Sequence, residues 1–364
     1  MGKFKPVVIV GAGVLGLTTA SVLQDKYPGI QITIVAADVP LVPPVAERER
    51  PSPDYASMWA GAHLRPTPGA DRQLGDEHFL ARRTAAVMKS LARSNPESGV
   101  QEVDGREVME YLPEDKQRLK TGDSYVGADD QFRILEAHEI EAGGVWGCEY
   151  KTWIVNVHVY CRWLLTNFIR RGGNVVQRRL NSLDEAFDPS LFPSSPSSSP
   201  SSSWLVVNCS GRNFDTDEKT NVIRGQTVLV KNTYHKTATR HNKDDTWSFL
   251  IPRPLGGGTI VGGTKQHGDW GTEIRPQETA EILAAAAKYW PDFVSKVEDF
   301  EVVMVNVGRR PWREGGMRIE REELGKGRVV VHGYGAGARG YELSWGAAER
   351  IAGLVDAGVV SAKL

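Results

Sequence analysis

Apolar runs alternating with glycine turns and helical patterns organise this chain. Pro6 to Val10 is an unbroken apolar run, which predicts a strand buried on both faces. Gly11, Gly13 and Gly16 follow, then the helical pattern LTTASVLQDKY and a second strand, QITIVAA. Further on, Phe79 to Ala92 predicts a helix, WIVNV a strand, Val159 to Arg170 a helix stopped by Gly172-Gly173, and a strand ends near Leu180. SSWLVVNCSG predicts a buried strand. From Gly225 to Trp270 the pattern turns strand-rich, with GQTVLVKN, WSFLIPRP and GTIVGGTKQHGDW punctuated by Gly and Pro. The polar stretch NTYHKTATRHNKDDT between two of these strands is expected to be a long loop, able to act as a lid. A helix from Glu278 to Tyr289 precedes the strands DFEVVMVNVGRRPWR and GMRIERE. The last element, VVVHGYGAGARGYELSWGAAERIAGLV, again runs strand, glycine turn, helix, to Val355.

This order predicts an α/β fold: a Rossmann-like nucleotide-binding domain interleaved with a mostly antiparallel β domain. The expected boundaries are 1–70, 140–225 and 325–364 for the first, and 71–139 and 226–324 for the second. Residues 189–203, PSLFPSSPSSSPSSS, predict a solvated Ser/Pro-rich loop without chemistry.

The 364 residues suffice for two domains, and the net charge of −1 gives no reason to expect nucleic acid or an anionic membrane as partner. Cys148, Cys161 and Cys209 are too widely and irregularly spaced for a disulfide framework or a zinc site, so no metal and a reducing compartment are expected. VVIVGAGVLGL is broken by glycine and alanine and is no signal peptide, and no run approaches the ~18 apolar residues of a membrane helix.

GAGVLG between a strand and a helix is the context a dinucleotide requires. Gly11 permits the turn, Gly13 lets N–H groups approach a pyrophosphate, and Gly16 lets helix and strand pack; Ala12, Val14 and Leu15 complete the loop. Asp38, slightly beyond the second strand, either binds the ribose or is a turn residue. The second glycine turn, at Gly333, Gly335, Gly337 and Gly340, feeds another helix start. That favours a flavin, whose reduction builds negative charge that helix N–H groups stabilise.

VVHGYGAGARGYELSWGAA, GRRPWREGGMRIERE, RGQTVLV, FLIPRP and SMWAGAH together resemble the D-amino-acid oxidase family, which includes the D-aspartate oxidases. The likeness runs through almost the whole chain. It implies non-covalent FAD, a two-domain fold, and oxidation of a D-amino acid by O2 to a 2-oxo acid, ammonia and hydrogen peroxide. By that resemblance Arg318 matches the arginine that clamps the substrate α-carboxylate, the alternative being a pairing with Glu320 or Glu322. Ala338 matches the residue whose carbonyl meets the substrate amine. Gly337, Gly340, Tyr341 and Glu342 match backbone donors to the flavin. Ser57, Gly61 and Ala62 line its other side, Leu180 lies beside the adenine, and Ser210 and Gly211 beside the cofactor.

Two departures bear on substrate. Phe249 stands where a substrate-facing tyrosine is common, and Tyr234 is the candidate lid tyrosine. Lys265, in GGTKQ, stands where D-aspartate oxidases carry an arginine. It either holds a side-chain carboxylate, with His63, Arg65 or Arg240 assisting, or extends to solvent. A D-amino-acid oxidase is therefore expected, with a D-aspartate oxidase as the alternative. Because peroxide is the product, Ala362-Lys363-Leu364 is expected to be a peroxisomal address read by an import receptor. Oligomeric state stays open, a homodimer included.

Overall fold

The apolar run at Val7–Val10 lies inside a parallel sheet with every residue buried. The computed structural model describes residues 6–40, 51–67, 72–112, 114, 117, 119, 131–191 and 204–359. The Ala362-Lys363-Leu364 tail and residues 192–203 of the Ser/Pro stretch lie outside the described residues.

In chain order the elements begin β1 (Val7–Val10), α1 (Val14–Lys26), β2 (Ile32–Ala36), β3 (Ala62–His63), α2 (Arg72–Ser94), β4 (Val100–Met109) and β5 (Arg133–Ile134). They continue with β6 (Trp146–Val155), α3 (Val157–Arg170), β7 (Asn174–Gln177), β8 (Trp204–Asn208), β9 (Thr220–Val230), β10 (Lys236–His241) and β11 (Trp247–Pro252). The last are β12 (Thr259–Gly262), β13 (Gln266–His267), α4 (Pro276–Tyr289), β14 (Val302–Arg313), β15 (Arg318–Gly325), β16 (Arg328–Tyr334) and α5 (Gly340–Val359).

The chain forms two units: Met1–Met58, Cys161–Asn221 and Pro311–Leu364 make the first, Trp59–Tyr160 and Val222–Arg310 the second. The first is a six-stranded sheet in the order β15-β16-β8-β1-β2-β7. All pairs are parallel except β15 with β16, as expected when helical crossovers return each strand to the same direction. α1 packs on α5 and is buried on nearly every side, so small residues such as Thr18, Thr19 and Ala20 fill it rather than a single apolar stripe.

The second unit holds a sheet in the order β13-β9-β12-β11-β10-β4-β6-β3, with β14 beside β9 and β5 beside β6. The pairs along this order are antiparallel apart from β4 with β10. α2 packs on β4 and β6 through Leu80, Ala81, Thr84, Ala85 and Met88, spaced to share one helix face. α4 covers β11 and β12, where Ile282, Leu283 and Ala286 meet Leu250 and Val261. Burial of each such Leu, Ile or Val contributes about 1.5–3 kcal/mol.

The fold class is as the sequence implies, with one correction. The polar stretch expected as a lid loop contains β10, an inner strand of the sheet. Its Thr237, Ala238 and Thr239 are buried, and β-branched threonines suit a strand although they read as polar.

Candidate active site

In the first unit the glycine turn after β1 is built by exclusion. Gly11 has φ +101°, and a Cβ there would lie 2.4 Å from the Cys209 carbonyl oxygen; one on Gly16 would lie 2.0 Å from that of Gly11. Strand, turn and helix are thereby in backbone contact. Val14 N–H is occupied, donating to Ser57 Oγ at 3.0 Å. The N–H groups of Ala12, Gly13, Leu15 and Gly16 find no acceptor among the described residues, which suits a pyrophosphate at the start of α1. Tyr55 fixes the same loop by donating its hydroxyl to Ala12 O at 2.6 Å, a contact the motif does not reveal.

The other predicted cofactor residues of this unit gather around that sheet end. Asp38 lies just past β2, its Oδ1 accepting one long bond, 3.5 Å, from Ser52 N, so the carboxylate keeps acceptor capacity for a ribose hydroxyl. Leu180 is buried against Val8, Val10 and Val35. Ser210 Oγ accepts from Asn213 N at 3.1 Å, and Gly211 O accepts from Gly335 N at 3.1 Å, joining the turn after β8 to the turn after β16. Gly337 N–H donates to Pro311 O at 2.7 Å, so its part is to shape the turn rather than to donate to a flavin. Gly340 opens α5, whose first-turn amides precede any intrahelical acceptor. Tyr341 OH donates to Ser57 O at 2.8 Å, and Glu342 pairs with Arg339 at 2.8 Å. Ala338 sits exposed in the turn between β16 and α5.

Arg318 is already engaged. Its Nε lies 3.0 Å from Glu320 and one Nη 2.9 Å from Glu322, while the other donates to Tyr334 OH at 3.3 Å. Both prongs of the fork meet groups of its own sheet, the strand-face pairing rather than the free clamp the motif implied. Tyr334 OH in turn donates to Asp217 at 2.8 Å, and Arg313 pairs with Asp217 at 2.8 Å.

The second unit holds cations of a different kind. Arg310 Nη1 reaches only two backbone carbonyls, Thr264 O at 3.3 Å and Arg224 O at 3.5 Å; no carboxylate pairs with it among the described residues. Although the residue keeps some accessible surface, its guanidinium is deep enough that burial draws its pKa down to about 10. Lys265 likewise forms no ion pair with a carboxylate among the described residues; burial, then the charges of Arg310 and Arg65, push its ammonium down from the usual lysine value against a smaller upward pull from Asp245. Burial and the same Lys265 and Arg310 lower His267. Three cations, Arg310, Lys265 and Arg65, thus crowd one neighbourhood, and among the described residues only Arg65 of the three has a carboxylate within 4 Å, Glu107 at 3.8 Å.

The remaining predicted substrate residues divide. His63 Nδ1 lies 2.6 Å from Thr237 Oγ1, whose single proton goes to Leu250 O at 3.1 Å. His63 must therefore donate through Nδ1 and carry a bare Nε2; burial foremost, then Arg65, pushes its pKa down to about 3, so it is a neutral acceptor and no cation. Arg240 is committed to Glu110 at 2.8 Å and lies over the Tyr289 ring at 4.4 Å. Tyr234 is buried in the core beside α4 with its hydroxyl on Asp292 at 2.9 Å, a packing position rather than a lid. Phe249 packs with Ile154, Ile251 and Ile260. Gly61 lies so close to Ile251 and Ile260 that a Cβ would meet them at 2.9 and 3.1 Å, and Ala62 pairs with Val155 at the sheet end.

Residues 6–354 match the family model described as FAD dependent oxidoreductase. The D-aspartate oxidase of Talaromyces thermophilus is 49% identical over 358 residues, covering 96% of this chain and 94% of the relative. The chain belongs to the D-amino-acid oxidase family. A D-amino-acid oxidase from Schizosaccharomyces pombe is 32% identical over 95% of this chain and 94% of its own length. Solved structures share the fold at low identity: glycine oxidase from Bacillus cereus has a TM-score of 0.69 at 16% identity, with 99% of each chain covered. L-alpha-glycerophosphate oxidase from Mycoplasma pneumoniae, with FAD bound, has a TM-score of 0.67 at 14% identity, covering 99% of this chain and 97% of that one. The family's cofactor, FAD, fits the glycine cradle at Gly11–Gly16, whose amides wait for an anion. The protein is an FAD-dependent oxidoreductase of the D-amino-acid and D-aspartate oxidase type.

Proposed function

We propose that the protein oxidises acidic D-amino acids, with D-aspartate the preferred substrate, to the 2-oxo acid and ammonia. One observation carries the reading: Arg310 and Lys265 are desolvated cations with no carboxylate ion-paired to either among the described residues, and the Arg310 charge raises the cost of the charge on Lys265. Such an arrangement is poor for stability by itself and good for a ligand with two carboxylates. Arg310 takes the α-carboxylate, its planar fork being unpaired where that of Arg318 is occupied. Lys265 takes the side-chain carboxylate, with Arg65 adding positive potential. The likeness to a D-aspartate oxidase at 49% identity supports the same choice.

FAD, which the Gly11–Gly16 turn would hold, would supply a two-electron acceptor for the Cα hydride with O2 as the final acceptor, giving hydrogen peroxide, and water would hydrolyse the resulting imino acid to the 2-oxo acid and ammonia. The chain's own residues orient and neutralise. The carboxylate ligands fix the Cα–H, and no side-chain acid or base is needed to remove it as hydride. His63, neutral with Nε2 unprotonated, provides an acceptor rather than a competing charge.

The test is anaerobic bleaching of the purified yellow protein by D-aspartate, D-glutamate, D-asparagine and D-alanine, with L-aspartate as control. D-aspartate should reduce the flavin at the lowest concentration and L-aspartate not at all. Equal or better reduction by D-alanine would move the enzyme to the neutral branch and end the acidic reading.

A further inference from the structure

Resting on that acidic-substrate reading, we propose that Trp247 is a specificity-determining positioning residue, an aromatic platform holding Lys265 and Arg65 together for the distal carboxylate. Arg65 Cζ lies 5.0 Å and Lys265 Nζ 5.9 Å from the centre of its indole, both within reach of the ring's negative face. Trp is the strongest such platform among the side chains. The indole is itself braced, packing edge-on to Phe249 at 5.7 Å and tilted against His241 at 6.3 Å. Its Nε1–H is buried with no hydrogen-bond partner among the described residues, so no hydrogen bond seen there explains a tryptophan.

The problem this solves is physical. Lysine and arginine are the most flexible side chains, and bringing two of them to one point costs both entropy and repulsion. The repulsion is evident, since Arg65 disfavours the charge on Lys265. An aromatic face offsets it without a carboxylate, which would neutralise the very charges a substrate needs. Arg65 has a second anchor: the fully buried Glu107 carboxylate lies 3.8 Å from its Nη1 and 2.6 Å from His241 Nε2. Lys265 has none among the described residues besides Trp247. Trp247 therefore matters most through Lys265, and its loss removes pre-organisation for an anionic side chain only.

The experiment compares Trp247→Leu and Trp247→Phe with wild type, using D-aspartate and its neutral isostere D-asparagine as paired substrates. Bound FAD and the visible spectrum report folding. Trp247→Leu should raise KM for D-aspartate about tenfold with kcat within about threefold, while kcat/KM for D-asparagine stays within about twofold. Trp247→Phe, which keeps an aromatic face, should recover most of the loss. In a Lys265→Met background the Trp247→Leu effect should largely vanish. A parallel fall for both substrates, or an unchanged KM for D-aspartate, would overturn the platform role while leaving the acidic reading intact. If Trp247→Leu loses its flavin, Trp247→Met serves as the non-aromatic variant in its place: a rise in KM confined to D-aspartate supports the role, and no rise refutes it. Wild-type enzyme preferring D-asparagine would overturn both.

Discussion

The Tyr55 hydroxyl donates to the Ala12 carbonyl at 2.6 Å, tying a loop 43 residues downstream to the glycine turn whose free amides suit a pyrophosphate. Both groups are buried, and burial with nearby Cys161 and Asp38 holds the phenol protonated, well above its ordinary pKa. Removing the hydroxyl leaves a buried carbonyl unsatisfied, a cost of about 1–3 kcal/mol. Tyr55→Phe should therefore weaken FAD binding by roughly 5- to 150-fold on that scale while leaving kcat nearly unchanged at saturating FAD. Titration of the apoprotein with FAD measures it, and unaltered affinity would show that the turn holds its shape without Tyr55.

Arg310 and Arg318 are separable by kinetics. Truncating one partner of a buried charge pair costs about 2–5 kcal/mol, so Arg310→Leu should lower kcat/KM for D-aspartate by roughly 10²-fold or more. Arg310→Lys should restore part of it, since an ammonium keeps the charge but not the fork. The Arg318 pairs involve half-exposed glutamates and contribute about 0–1 kcal/mol, so Arg318→Leu should change kcat/KM less than about threefold. The opposite ranking would return the clamp to Arg318.

Lys265 predicts an alkaline limit specific to acidic substrates. Burial and then the Arg310 and Arg65 charges lower its pKa, so it loses its proton at a lower pH than an ordinary lysine. Above that pH a neutral amine no longer attracts the side-chain carboxylate. The ratio of kcat/KM for D-aspartate over D-asparagine should fall with rising pH, the amino-group ionisation common to both substrates cancelling in the ratio. Lys265→Arg should flatten the profile, because a guanidinium stays charged.

What was legible in the sequence follows from what local pattern can carry. Gly11, Gly13 and Gly16 declare a nucleotide turn by their spacing, and at Gly11 and Gly16 a Cβ would collide with backbone oxygens while at Gly13 it would crowd Ser57 Oγ. Arg310 was not legible: it stands in GRRPWR beside Arg309 and Arg313, and pattern alone does not say which of three arginines is buried without a carboxylate. The motif instead drew attention to Arg318, whose strand partners Glu320 and Glu322 share its face by the two-residue period. β4 escaped notice because VQEVDGREVM mixes charges into a strand that pairs on both sides. The unit boundaries at Tyr160–Cys161, Asn221–Val222 and Arg310–Pro311 fall inside α3, β9 and β14, where no change of composition marks them. Trp247 gained meaning only from cations distant in sequence.

Asp217 gives the last prediction, on acid stability. Burial opposes its charge, but hydrogen bonds from Arg313, Tyr334 and the Lys219 N–H outweigh that and hold its pKa at about 2, below the ordinary 3.8. A carboxyl whose folded pKa is depressed stabilises the fold above its unfolded pKa, and this contribution is lost as pH falls towards the folded value. Asp217 thus stabilises the native state above about pH 4 and loses its effect between there and about pH 2. It also braces β16, which leads through Tyr334 into the Gly335–Gly337 turn. Asp217→Asn keeps the shape but removes the charge, and should cost ~1–2 kcal/mol at neutral pH, with the gap to wild type closing as the pH is lowered. Denaturant unfolding of the FAD-loaded protein at several pH values reads both effects. A gap that stayed constant down to pH 3 would mean that the carboxylate's charge contributes nothing and only its shape does.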